Sequence, residues 1–158
     1  MASVRLRPLR EDEWESFVER SKRGYVADMV ANAGLTPDFA RTKADRDFAN
    51  LLSEGLTTEG HYVFAVEDVD SGEAVGRLWF ARREIDGEQG AFLYDIDLDE
   101  RVRGQGLGRQ AMLLLEEEVR ARGLSRIALN VFGGNEVARS LYGSLGYAET
   151  AVWMAKDV

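Results

Sequence analysis

The sequence predicts an α/β domain: a mixed, mostly antiparallel sheet with helices on both faces. Three observations carry that prediction. Apolar residues alternate with period two from residue 62 to residue 98, with short polar turns between the runs. Helical stripes lie on both sides of this region in the chain. The run at 91–98 passes through a glycine-rich loop into a helix and then another strand, a crossover unit whose two strands must lie parallel. At 158 residues the chain suits a single domain, 1–158, with one core.

Val4 and Leu6 alternate with Arg5 and Arg7 as a short first strand, ended by Pro8. Trp14, Phe17, Val18, Tyr25 and Met29 have helical spacing, so residues 11–31 read as one long or broken helix. Thr36-Pro37-Asp38 is a helix start: a hydroxyl cap, proline at the first position and an acid in the first turn. Phe48, Leu51 and Leu52 give that helix its stripe, and Gly55 can end it. Tyr62–Val66 and Ala74–Ala81 are strands joined by Asp70-Ser71-Gly72, and a turn at Asp86-Gly87 leads into Ala91–Leu98. Ala111, Leu114, Leu115 and Val119 mark a helix closed by Gly123. Ile127–Phe132 is a strand. Ala138, Leu141, Tyr142 and Leu145 mark a last helix closed by Gly146, and Ala148–Lys156 reads as a final strand.

Composition excludes several chemistries. The chain has no cysteine, which removes disulfides, thiolate metal sites and an acyl-cysteine intermediate. Its single histidine, His61, excludes a multi-histidine metal site, so no metal is expected. A net charge of −8 should repel nucleic acid and anionic membranes. No apolar run approaches the roughly 18 residues of a membrane span. The N-terminal residues enter a strand pattern directly, without the apolar core of a signal peptide, so a cytoplasmic location is expected.

Arg101-Val102-Arg103-Gly104-Gln105-Gly106-Leu107-Gly108-Arg109 follows the 91–98 strand and opens a helix. Glycines let a backbone approach a ligand and adopt positive φ. The first amides of a helix lack intrahelical partners and suit a phosphate oxygen. Tight packing alone also produces such loops. Two phosphate-binding alternatives fail. A Walker loop needs Lys-Ser/Thr where Arg109-Gln110 stand, and a dinucleotide fingerprint needs an acid at the end of the next strand, which has none.

Arg103-Gly104-Gln105-Gly106-Leu107-Gly108 resembles the Arg/Gln-x-x-Gly-x-Gly/Ala motif of the GNAT (GCN5-related) N-acetyltransferases. Asn135-Glu136-Val137-Ala138-Arg139-Ser140-Leu141-Tyr142-Gly143-Ser144-Leu145-Gly146-Tyr147 is similar to that family's second block, Asn-x-x-Ala-x-x-Leu-Tyr-x-x-x-Gly-Phe/Tyr. The two blocks stand in the family's order with one helix and one strand between them. The order of elements resembles the family's small stand-alone bacterial members from residue 4 to residue 156.

The resemblance implies the acyl-CoA N-acyltransferase fold, with a splayed parallel pair at the fourth and fifth strands and a pantetheine arm in the gap. It implies that the backbone of Ile96 and Leu98 bonds the pantetheine. The amides of Arg103, Gly104, Gln105, Gly106, Leu107, Gly108 and Arg109 would cradle the pyrophosphate. Asn135 would cap the next helix near the cofactor, with Ala138 and Leu141 packed beside it. Tyr142 maps onto the family's frequent general acid, although helical spacing by itself also fits a packed tyrosine. An amide near Ile96 or Asp97 would stabilise the oxyanion. The family often places a glutamate base on the fourth strand. Here the strand carries Asp95 and Asp97, expected on the polar face with Asp99, opposite Phe92, Tyr94, Ile96 and Leu98. A water chain serves equally as the base.

The reaction so implied moves an acetyl group from acetyl-CoA to a small-molecule or peptide amine, in a monomer or homodimer. A non-catalytic acyl-CoA-binding sensor of the same fold is the alternative. His61 is expected at a surface or cap position. Trp79, Phe80 and Tyr94 are expected mainly in the core, and segment 21–35, with Tyr25, beside the acceptor.

Overall fold

The computed structural model describes residues 2–158. One five-stranded sheet runs in chain order: β1 (Val4–Pro8), β2 (His61–Asp68), β3 (Ala74–Ile85), β4 (Glu88–Leu98) and β5 (Ile127–Leu129). The first four are antiparallel neighbours, and β4 and β5 are parallel. Short turns explain the antiparallel part. Asp68 Oδ1 accepts the amides of Asp70 and Ser71 at 2.9 and 2.8 Å, closing the β2–β3 turn. Asp86 and Gly87 both have positive φ, 52° and 88°, as a two-residue hairpin with the right-handed twist requires. This hairpin extends β3 and β4 beyond the expected Ala81 and Ala91 ends.

Helices cover both faces. α1 (Trp14–Ala33) follows a 3-10 turn at Glu11–Glu13, so the long N-terminal helix is broken only at its start. α2 (Pro37–Leu51) begins as expected: Thr36 Oγ1 accepts the Phe39 amide at 3.3 Å, and Pro37 occupies the first turn. α2 stops at Leu51, ahead of Gly55, which opens a 3-10 turn instead. Phe17 of α1 and Phe48 of α2 pack on Trp79 of β3. On the opposite face lie α3 (Leu107–Ala121) and α4 (Glu136–Ser144). Ala111, Met112, Leu115 and Val119 of α3 bury against Leu78, Phe80 and Leu93. Each large apolar side chain buried there stabilises the fold by about 1.5–3 kcal/mol relative to exposure.

The β3–β4 register is interrupted once. Phe80 pairs with Leu93 and Trp79 with Asp95, so Tyr94 is an extra residue in β4. This bulge changes which side chains share a face. Leu93 lies on the α3 face, Tyr94 and Asp95 both turn toward α1, and Ile96 returns to the α3 face. The expectation that Phe92, Tyr94, Ile96 and Leu98 line one face is therefore corrected. Tyr94 stacks on Trp79 at 4.7 Å, on the same side as Asp95.

β5 pairs with β4 only from Ile127 to Leu129, against Ala91 to Leu93, and is shorter than the expected Ile127–Phe132. Beyond the bulge the two strands part. Phe132 packs instead on the Met29–Ala40–Ala44 cluster of α1 and α2. The final strand expected at Ala148–Lys156 does not form. Residues 148–158 carry no helix, strand or turn, and all are exposed.

Candidate active site

The parting of β4 from β5 leaves one edge of β4 unpaired from Tyr94 to Leu98. Main-chain groups of a strand alternate sides, so the free edge can be assigned. The Asp99 amide donates to Val75 O on β3 at 2.8 Å. Asp97 therefore also faces β3, and Ile96 and Leu98 turn their amides and carbonyls to the gap side, where Leu98 O is taken by Arg103 Nε. This places the two residues expected to contact pantetheine on the open side. Of the two amides considered for an oxyanion, that of Ile96 faces the gap and that of Asp97 does not.

The loop after β4 turns through a 3-10 segment, Glu100–Val102, into α3. Gly104 and Gly106 have φ of 80° and 76°, a region where a side chain is strained, and a Cβ built on either meets nothing within 4 Å. The loop is thus bare on one side, a surface a phosphate chain can approach. Gly106 N-caps α3, and the Gln110 amide is the first in the helix to find an acceptor, Gly106 O at 3.2 Å. The amides of Leu107, Gly108 and Arg109 stand at the positive end of the helix dipole with no intrahelical acceptor. The Leu107 side chain is buried in the core, and Gln105 is exposed. The Gln110 side chain ties the first turn of α3 to β1: its Oε1 accepts the Val4 amide and its Nε2 donates to Ala2 O.

The loop arginines are engaged with the protein rather than gathered over the loop. Arg103 donates from Nε to Leu98 O at 3.0 Å and from Nη2 to Asp97 at 3.1 Å. Arg109 reaches Ser144 on α4 at 2.9 Å, and Arg101 pairs with Glu73 and Asp99. What faces a ligand is mainly backbone.

α4 starts where expected. Asn135 Oδ1 accepts the Ala138 amide at 3.2 Å, capping the helix. Ala138 is half-buried, and Leu141 and Tyr142 pack against the core under α3. A methyl on Gly108 would sit 3.6 Å from Leu141 Cδ2, so α3 and α4 meet close to the loop. Burial first, and then the charges of Asp95 and Asp28, push the Tyr142 phenol up to about 12. Tyr142 packs on the α3 face, and its phenol feels carboxylates from the α1 face.

Asp95 and Asp97 both stand on the α1 face, held by arginines. Asp95 Oδ2 accepts from Ser21 Oγ and from Arg77 Nε, each at 2.6 Å. Asp97 accepts from Arg77 at 3.2 Å as well as from Arg103. Burial raises the Asp95 carboxyl above its ordinary value, against the lowering pull of Arg77 and Ser21. Sequence reasoning missed Arg77, Ser21 and Asp28. Arg77 reads as one polar residue in an alternating strand, and its only outward trace is Gly24 in mid-helix. A Cβ at Gly24 would lie 2.8 Å from Arg77 Nη2, so the glycine leaves room for the guanidinium. In the same region Asp28 accepts from Asn32 at 2.6 Å, and Asn32 closes on Gly134 before α4.

The remaining candidates are structural. His61 is half-buried rather than at a surface: Nδ1 accepts from Trp79 Nε1 at 3.0 Å, the ring stacks on Tyr94, and burial lowers its pKa. Trp79 and Phe80 are core. Tyr25 donates to Asp47 on α2. Among the described residues no three His, Asp or Glu side chains cluster as metal ligands, and no helix is long and apolar enough to cross a membrane.

The fold and this site can be set beside known proteins. The family model for the acetyltransferase (GNAT) family matches residues 6–147. The chain is 31% identical to the N-acetyltransferase YycN of Bacillus subtilis strain 168, over 99% of both chains. It is 32% identical to the N-acetyltransferase YdgE of the same organism, over 97% of both. The crystal structure of YycN superposes with a TM-score of 0.90 over 98% of each chain. An acetyltransferase of Clostridium acetobutylicum, solved with acetyl-CoA, shares the fold at a TM-score of 0.69 and 16% identity, over 98% of this chain and 96% of that one.

Proposed function

The chain belongs to the acetyltransferase (GNAT) family, and on that premise we propose that it transfers an acetyl group from acetyl-CoA to a primary amine by direct attack in a ternary complex. Tyr142 carries the reading. A phenol held near 12 stays protonated at neutral pH, and this one belongs to the helix beside the break in the sheet. The proton is therefore in place when the thiolate forms; the raised value makes the phenol a weaker acid than an ordinary tyrosine, so it is the position of Tyr142 and not the shift that favours this role.

The residues fit acetyl-CoA as a substrate. The bare side of Gly104 and Gly106 and the first amides of α3 would hold the pyrophosphate, with Arg103 and Arg109 flanking. The edge of β4 at Ile96 and Leu98 would bond the pantetheine, with Asn135, Ala138 and Leu141 beside it. That a protein of the same fold was solved with acetyl-CoA agrees with this assignment. In the transfer the amine nitrogen bonds the acetyl carbon and the carbon–sulfur bond breaks. The Ile96 amide would stabilise the carbonyl oxygen, and Tyr142 would protonate the departing sulfur.

The amine must lose a proton. Asp95, whose affinity for a proton burial raises, would receive it directly or through water, with Ser21 and Arg77 holding the carboxylate in place. Asp97 bridges Arg77 and Arg103 and is the weaker candidate. The acceptor we assign is a small-molecule or peptide primary amine.

Tyr142→Phe tests the reading. With acetyl-CoA and a panel of amines, kcat should fall about 100-fold, while acetyl-CoA affinity by calorimetry stays near wild type. An unchanged kcat would return Tyr142 to packing. Binding of acetyl-CoA by the wild type with no turnover on any amine would favour a sensor instead.

A further inference from the structure

Arg103 stands where the thioester arm would have to lie. Its Nε donates to Leu98 O at 3.0 Å, on the gap side of β4, and its Nη2 donates to Asp97 Oδ1 at 3.1 Å. The guanidinium thus occupies the strand edge proposed for pantetheine. The other two loop arginines turn elsewhere. Arg101 reaches Glu73 and Ala74 O, and Arg109 reaches Ser144 on α4.

This hold is suited to release. The Arg103 side chain is 57% exposed, and an ion pair so well wetted is weak. Its main chain is anchored by contrast: the Arg103 amide donates to Glu100 O at 3.2 Å, closing the 3-10 turn. Only the side chain need rotate to leave β4. Asp97 is not stranded by that rotation, because Arg77 Nη1 still donates to its Oδ2 at 3.2 Å. Leu98 O does lose a donor. A ligand that replaces both bonds must therefore bring an anion for the guanidinium and an N–H for the carbonyl. A diphosphate joined to an amide-bearing arm brings both, since a guanidinium forks onto phosphate oxygens as it does onto a carboxylate.

On the acetyl-CoA reading, from which this follows, we propose that Arg103 is a latch that makes the phosphates of the acyl donor a condition for binding its thioester arm. A diphosphate at the glycine loop draws the guanidinium off β4, and Leu98 O then accepts the amide of the arm. A thioester without phosphates meets the latch closed. If about nine molecules in ten are closed, such a ligand binds about tenfold more weakly than it would to the open edge. Arg103 therefore sets specificity for phosphorylated donors twice over, by attraction when it moves and by obstruction when it does not.

Calorimetry with acetyl-CoA and with S-acetylpantetheine, the same arm without phosphates, tests this. Arg103→Met should tighten S-acetylpantetheine about tenfold and weaken acetyl-CoA about tenfold, opposite movements that a damaged fold cannot produce. Arg103→Lys keeps the charge and loses the fork, so it should also tighten S-acetylpantetheine while holding acetyl-CoA closer to wild type. Arg101→Met removes a cation from the same loop but away from β4, and should leave S-acetylpantetheine within about twofold of wild type. Saturating ADP, as a diphosphate probe, should raise the affinity of wild type for S-acetylpantetheine about tenfold and that of Arg103→Met not at all. A wild type that binds no acetyl-CoA would remove the donor reading and the latch with it. Acetyl-CoA binding by the wild type, with S-acetylpantetheine no tighter on Arg103→Met or with the ADP coupling intact in that variant, would overturn the latch alone.

Discussion

Gly106 holds a φ of 76° at the mouth of α3, and nothing stands within 4 Å of where its Cβ would be. Two costs of a side chain there can therefore be separated. Alanine pays about 1–2 kcal/mol for the left-handed backbone, and its methyl enters the open space where the pyrophosphate is proposed to lie. Gly72 has a similar φ of 74°, equally open, but in the β2–β3 turn far along the chain from the loop. Gly106→Ala and Gly72→Ala should lower the melting temperature alike, while only the first weakens CoA binding, at least tenfold by calorimetry. Gly106→Glu, adding negative charge, should abolish binding. Equal CoA affinity in all three proteins would remove the loop from the site. The positive φ of Gly104 and Gly106 and the Asn135 cap were legible as letters because each depends on the residue's own backbone or on near neighbours in sequence. The destinations of Arg103 and Arg109 were not. A long cation beside a glycine loop looks free until Leu98 O, Asp97 and Ser144 come into reach through the fold.

At the scale of elements, the bulge at Tyr94 decides the chemistry of β4. Period-two reading placed Asp95 opposite Tyr94, because an inserted residue is defined only by the partner strand, here Trp79 and Phe80. The helices and antiparallel hairpins were legible from their caps and turns. The length of β5 was not, since Phe132 leaves the sheet for a contact with α1 and α2. The same holds for the missing last strand: alternation signals a segment able to pair but not the presence of a partner. Once the bulge turns Asp95 toward α1, Arg77 is its counter-ion, and Gly24 in α1 makes the room. Arg77→Met should destabilise the protein by about 3 kcal/mol in urea denaturation, because it strands a largely buried carboxylate. Adding Asp95→Asn should recover most of that loss, since no uncompensated charge then remains. A double variant no more stable than Arg77→Met would mean that the guanidinium acts through packing alone.

For the molecule as a whole, the first strand is tied down by charge. Glu67 on β2 accepts from Arg5 and Arg7, and Arg7 also pairs with Glu13 in the 3-10 turn before α1. The Arg7 hydrogen bond holds the Glu13 carboxyl near 2 instead of its ordinary 4.5, and Arg7 and Arg5 lower Glu67 in the same sense. A carboxyl lowered on folding stabilises above its unfolded pKa and loses that contribution as pH falls through the folded one. The melting temperature should therefore fall from pH 4.5 toward 2, and Glu13→Gln should flatten that slope. Asp95 runs the other way, because its raised value favours folding at low pH, but it is a single group against this pair. An acid limb no flatter in Glu13→Gln would assign the loss to other carboxyls. The two leaves of the sheet meet along Ala91–Leu93 and Ile127–Leu129 alone. A bulge and the half-buried Phe132, packed on α1 and α2, hold them apart, and neither needs an occupant to do so. If the thioester arm enters there as proposed, no paired strands need prying apart, and its binding would not be drained by rearrangement of the sheet.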